Sequence, residues 1–110
     1  MPDNKTLAAR LKARERAVEA CGHTFTVRRP KAAEMALGMT RIEMVRRFTV
    51  GWDLKNIDLV PGGTPDPEPF DVDLWADYLE DNDDLWPPLS EAILGLWTEH
   101  RAAREAAEKN

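Results

Sequence analysis

One cysteine, one serine and two histidines in 110 residues leave little with which to build an active centre. Cys21 stands alone, so no disulfide forms within the chain and a thiolate zinc site lacks its ligands. A lone cysteine is also the usage expected of a reducing compartment, the cytosol. Ser90 has no Gly-x-Ser-x-Gly turn around it, which removes serine-hydrolase chemistry. His23 and His100 stand far apart, outside any metal-ligand spacing, and read as surface or edge residues. No run of 18 or more apolar residues is present, and Met1-Pro2-Asp3-Asn4-Lys5 offers no apolar core for a signal peptide. The expectation is a soluble cytoplasmic protein with no membrane contact. The length suits one domain, too small for a core plus a deep substrate cavity.

Positive charge is missing where negative charge is dense. No Lys or Arg occurs between Pro61 and Glu99. Through Val60 the chain holds 12 Lys/Arg and 7 Asp/Glu, a balance of +5; from Pro61 onward it holds 3 and 13, a balance of −10. The sum of −5 therefore hides a strong polarity.

Along the chain, Thr6 to Ala20 is rich in Ala, Arg and Lys, with Leu7, Leu11 and Val18 as a thin apolar stripe. This predicts a helix, closed by Gly22, that docks loosely or is ordered by a partner. His23 to Arg28 alternates polar with β-branched and aromatic residues and reads as a strand, stopped by Pro30. Lys31 to Leu37 makes a short helix before Gly38, and Thr40-Arg41-Ile42-Glu43 matches a capping box that starts another at Arg41. Thr49 to Trp52 either extends that helix or pairs with Phe25–Val27. Four prolines between Pro61 and Pro69 make an extended, semi-rigid loop between the basic and acidic halves. Phe70-Asp71 supplies a hydrophobic staple and N-cap for a helix carrying Val72, Trp75, Ala76 and Leu79 inward. A last helix starts near Leu85–Pro87, since adjacent prolines fit only a first turn, and its stripe fades after Trp97.

The expected fold is mostly α, a small helical domain of four to five helices with room for a short strand or hairpin around 24–28 and 48–52. The expected organisation is an N-terminal helix over 1–22, a globular unit over 23–100 with a Pro/Gly-rich loop at 61–69, and a helical or frayed tail over 101–110.

No residue set points to catalysis or to a cofactor. The carboxylates from Asp71 to Asp84 raise the question of calcium, but Trp75 and Ala76 occupy positions 5 and 6 of the loop that starts at Asp71, where an EF-hand needs an oxygen ligand and a glycine. Pro61-Gly62-Gly63 lacks the Gly-Lys-Ser/Thr of a phosphate loop. Arg28, Arg29, Lys31, Arg41, Arg46 and Arg47 suggest a basic patch, yet the chain as a whole is acidic and has few free aromatics for base stacking, so nucleic acid is disfavoured as a partner. The four tryptophans fit helix-packing positions, and one or two of them suit an interface, where Trp is favoured. Arg46, Arg47, Trp52 and Trp86 are the candidate protein-interface residues.

An ordered series of short motifs carries a resemblance. Phe25-Thr26-Val27-Arg28-Arg29-Pro30 with Glu34-Met35, then Arg46-Arg47-Phe48-x-Val50-Gly51-Trp52-Asp53, Asp58-Leu59-Val60-Pro61-Gly62-Gly63, Pro69-Phe70-Asp71 and Asp83-Asp84-Leu85-Trp86-x-Pro88-Leu89 follow one another between about His23 and His100. The series resembles small bacteriophage and prophage proteins encoded among tail genes and regarded as tail assembly chaperones. The resemblance implies a largely helical, non-enzymatic protein that binds the tape-measure protein, and sometimes tail-tube subunits, before the tail polymerises, and is absent from the finished particle. It carries over no catalytic residue and does not reach the N-terminal helix. Opposite charges on two faces would also let copies of the chain associate. A structural head–tail connector or tail-completion protein, and a small nucleic-acid-binding regulator, are the competing readings.

Overall fold

In the computed structural model residues 4–109 are described; residues 1–3 of the expected N-terminal helix and Asn110 of the expected tail lie outside them. In chain order the elements are α1 (Lys5–Ala13), β1 (Glu15–Ala20), β2 (His23–Arg28), α2 (Ala32–Met35), α3 (Arg41–Phe48), β3 (Thr49–Trp52), α4 (Asn56–Leu59), α5 (Val72–Asp81), a 3-10 turn (Asp83–Leu85) and α6 (Trp86–Glu108). The strands form one antiparallel sheet in the order β1-β2-β3. The fold is a mixed α/β domain, with six helices and a three-stranded sheet among the described residues, which corrects the expectation of a mostly α domain of four to five helices with at most a strand or hairpin.

The correction centres on β1. Ala, Glu and Arg favour helix, and the segment from Thr6 to Ala20 was expected to be helical throughout, but the helix stops at Ala13. From Glu15 on, the backbone pairs with β2, Glu15 opposite Arg28 and Ala20 opposite His23. Cys21 and Gly22 form the two-residue turn, with φ of 52° and 80°. Two consecutive positive φ values are the mark of the type I′ turn, whose twist matches that of the strands it joins. Pairing puts Val18 opposite Phe25 and buries Ala20. That burial outweighs the weak local preference for helix.

On the other side of β2, Phe25 faces Trp52, Thr26 faces Gly51 and Val27 faces Thr49, leaving Val50 as the extra residue of a bulge. The core lies between the sheet and α3, α5 and α6. Phe25, Val27, Val45, Phe48, Trp75, Leu79, Leu89 and Ile93 are fully enclosed there, with Leu54 and Leu85 nearly so. Phe25 and Trp75 meet with ring centroids 5.4 Å apart.

Local signals place the helix starts. The Thr40 hydroxyl accepts the Glu43 N–H at 3.3 Å, and the Asp71 carboxylate accepts from Asp73 and Leu74 at 3.0 and 2.9 Å. Phe70 packs beside Trp75 at 6.5 Å between centroids. Pro87 and Pro88 stand in the first turn of α6, where the N–H they lack has no intrahelical acceptor. Beyond His100, α6 is exposed along its length, and α1 has no buried residue.

The loop expected to be an extended hinge is folded against the domain. Glu68 donates its N–H to Leu54, Asn56 to Asp66 and Ile57 to Thr64, all at 2.8–2.9 Å. The Asn56 side chain caps the loop by accepting from Thr64 at 3.0 Å. Gly63 is required there, because a Cβ would collide with the Asn56 Oδ1 and lie 2.9 Å from the Val60 carbonyl.

Candidate functional site

The four candidate interface residues do not form one surface. Trp52 and Trp86 are half-buried and tie the fold together. The Trp52 Nε1 donates to the Glu68 carbonyl at 2.7 Å, fastening the proline-rich loop to the end of β3, and its ring meets Phe70 and Trp75 edge-on. The Trp86 Nε1 donates to the Leu79 carbonyl at 2.8 Å, while Asn82 donates its side-chain amide to the Tyr78 carbonyl at 2.7 Å. Together they bond carbonyls of the last turn of α5, the Leu79 carbonyl also accepting the Asn82 N–H at 3.3 Å.

Arg46 and Arg47 are brought together and exposed in the last turn of α3, where the helix dipole favours cations. With Val72, Asp73 and Ala76 of α5 they line an open groove of about 470 Å³. Val72, 66% exposed, is its apolar element. Arg47 is anchored at the groove edge: its Nε lies 3.4 Å from Glu34, which also takes both terminal nitrogens of Arg28 at 3.0 Å. The Glu34 Oε1 further accepts the Lys31 N–H at 2.9 Å. The two guanidinium groups sit over the Phe48 ring, Arg28 at 4.6 Å and Arg47 at 5.9 Å. The Arg28 hydrogen bonds above all, with the Lys31 N–H and the charges of both arginines behind them, hold the Glu34 carboxyl down to about 2 despite its partial desolvation. The network fixes where α3 ends relative to β2, and it leaves Arg46 free of ion pairs among the described residues.

Two further charged surfaces escaped the sequence reading. Arg10, Ala13, Arg14, Arg29 and His100 line a basic groove of about 280 Å³. Partial burial first, then the charges of Arg14 and Arg10, lower the Arg29 pKa. Desolvation and the charges of Arg29, Arg104, Arg101 and Arg14 push His100 down. Toward the other end of the sheet, Asp58, Glu68, Asp77 and Asp81 line an acidic groove of about 300 Å³ with Leu74 and Tyr78. The spacing of Trp97, His100, Arg101 and Arg104 at i, i+3, i+4 and i+7 was the available signal for the first surface. Its junction with Arg10, Arg14 and Arg29 is a tertiary fact.

Cys21 is exposed in the β1–β2 turn, His23 lies 3.4 Å from Asp53, and Ser90 donates to the Pro87 carbonyl at 3.1 Å. Among the described residues no group of three or more His, Cys, Asp or Glu is placed to hold a metal ion, and no helix is long and apolar enough to cross a membrane. No family model, curated protein or solved structure matches the chain.

Proposed function

We propose that this chain is a non-enzymatic phage tail morphogenesis factor, a tail assembly chaperone that covers the tape-measure protein in the infected cell before the tail polymerises and leaves before the particle is complete. The reading is carried by the ordered motif series between Phe25 and Leu89. The groove between α3 and α5 supports it, because there the Arg46-Arg47 motif lies beside the helix that the Phe70-Asp71 motif opens. The Arg46-Arg47 motif supplies its basic rim, and the helix capped by the Phe70-Asp71 motif supplies Val72 and Ala76. A tape-measure chain presents long amphipathic helices, and an apolar strip beside two arginines can take one helix face with its flanking carboxylates.

The test is coexpression with a neighbouring tape-measure gene. The expected result is a higher soluble yield of the tape-measure protein and its co-purification with this chain. Val72→Asp and Arg46→Glu, both at exposed positions, reduce that capture while leaving the fold intact. No co-purification and no gain in yield would sink the proposal. Finding the chain in purified virions by mass spectrometry would assign it instead to the structural components of the tail.

A further inference from the structure

The basic groove is built by two helices that lie far apart in sequence. On α1 and its C-cap, Leu7, Arg10, Leu11 and Arg14 follow at i, i+3, i+4 and i+7, and Leu7 and Leu11 are 55% and 46% exposed. On α6, Trp97, His100, Arg101 and Arg104 repeat that spacing, with Arg101 5.8 Å over the Trp97 ring. Residues so spaced share one helix face. Arg29 lies between the two helices, its N–H bonded to the Arg14 carbonyl at 2.7 Å and its side chain to the Pro30 carbonyl at 3.0 Å. Five guanidinium groups thus gather about the groove, four of them near enough to act on His100 and Arg10 near enough to act on Arg29, with exposed leucines on the same face of α1 and Trp97 on the same face of α6. None of the five has an ion-pair partner among the described residues.

The acidic groove offers the complement. Asp58, Glu68, Asp77 and Asp81 surround Leu74 and Tyr78, with Val60 exposed beside them, and none of the four carboxylates has an ion-pair partner among the described residues. One chain cannot bring its own two grooves together. The basic groove adjoins the end of the sheet where Glu15 faces Arg28; the acidic one lies toward the other end, where Phe25 faces Trp52 and where Tyr78 is near enough to the β1–β2 turn to feel Cys21. They occupy opposite ends of the sheet.

We infer that the basic groove between α1 and α6 is the docking site for the acidic groove of a second copy, formed by α4 and α5, giving a head-to-tail contact between chains. A contact between two different surfaces leaves one of each free at the ends, so the association continues beyond a dimer unless the rotation closes a ring. Unpaired charges at the rim of such a contact steer and select the partner. The inference stands apart from the tape-measure reading, because a failed capture of that protein leaves it untouched.

Sedimentation of the whole chain tests it. Raising salt from about 0.1 M to about 1 M shortens the Debye length from about 10 Å to about 3 Å, so the mass is expected to grow with protein concentration at the lower salt and to fall to that of the monomer at the higher. Arg10→Glu with Arg104→Glu removes the association, and so does Asp77→Arg with Asp81→Arg. All four positions are exposed, and unchanged circular dichroism and melting confirm that each variant folds. An equimolar mixture of the two double variants associates again, since each restores the charge match the other lost. A wild-type monomer at every concentration in low salt, association that either double variant leaves unchanged, or a mixture that stays monomeric would each overturn the inference. Binding of an oligonucleotide that Arg10→Glu with Arg104→Glu abolishes would give the groove to nucleic acid and overturn it as well.

Discussion

Glu34→Gln tests whether the network over Phe48 contributes to stability as its geometry implies. Glutamine keeps the shape of the side chain but leaves Arg28 and Arg47 without their carboxylate, which in the native chain sits 3.0 Å from one and 3.4 Å from the other. Holding the carboxyl at about 2 instead of its ordinary 4.5 corresponds to a ceiling of about 3 kcal/mol, at about 1.4 kcal/mol per tenfold change in proton affinity. Solvent reduces that ceiling. The Arg47 side chain is 47% exposed, and partly solvated pairs deliver a fraction of their apparent strength. The expected loss at pH 7 is about 1–2 kcal/mol. The folded-state pKa is depressed, so the native network's contribution is fully present above about 4.5 and disappears as pH falls toward about 2. Urea unfolding of wild type and variant at a series of pH values reads this as a gap in midpoint, at unchanged slope, that narrows below pH 4.5 and closes near pH 2. Subtracting the two curves cancels the titration of the other carboxylates. A gap that stays constant with pH, or no gap at pH 7, would refute the argument.

Two substitutions probe strain and burial in the sheet. Cys21 holds φ at 52° in the hairpin turn, where asparagine is far better tolerated, so Cys21→Asn is expected to stabilise the chain by roughly 0.5–1 kcal/mol in urea unfolding; a loss would refute the turn geometry. The Thr49 Oγ1 is buried with no hydrogen-bond partner among the described residues, so Thr49→Val, which keeps the branched shape and removes the hydroxyl, is expected to gain about 1 kcal/mol, and a loss would mean that the hydroxyl has a partner.

What the sequence revealed and what it concealed separate by the range of the interactions involved. Asp71 as an N-cap, Phe70 against Trp75, Thr40 at the start of α3 and the prolines opening α6 are contacts within about five residues, and their patterns read directly. β1 could not be read that way. Glu15 to Ala20 contains one β-branched residue among good helix formers, and it becomes a strand because Val18 and Ala20 gain burial only when β2 lies alongside. The cue that would have raised the hairpin, a two-residue turn with glycine second, was weakened by cysteine in the first place. The hinge expected at Pro61–Pro69 likewise gave way to the Trp52 bond to Glu68, made across sixteen residues. Arg46 and Arg47 were legible as an exposed pair because both fall off the apolar face of their helix. Trp52 and Trp86 were named beside them for an interface, and spacing gave no sign of the indole N–H bonds that also tie both into the fold.

The charge polarity of the chain is also changed by folding. By sequence, +5 precedes residue 61 and −10 follows it, which suggests two charged halves joined by a linker. In space the division runs elsewhere. Helix α6 carries Arg101 and Arg104 out of the acidic half to meet Arg10, Arg14 and Arg29, while Asp58, from the basic half, joins Asp77 and Asp81. Arg28 is committed to Glu34, while Arg47 shares that carboxylate and keeps its side chain exposed at the rim of the groove between α3 and α5. Two small grooves of opposite charge remain at opposite ends of the sheet, each with apolar residues in or beside it. A distributed positive face would favour a long polyanion. Confined patches of opposite charge on one small domain favour a partner that is itself confined, and each chain carries a matching surface of that kind.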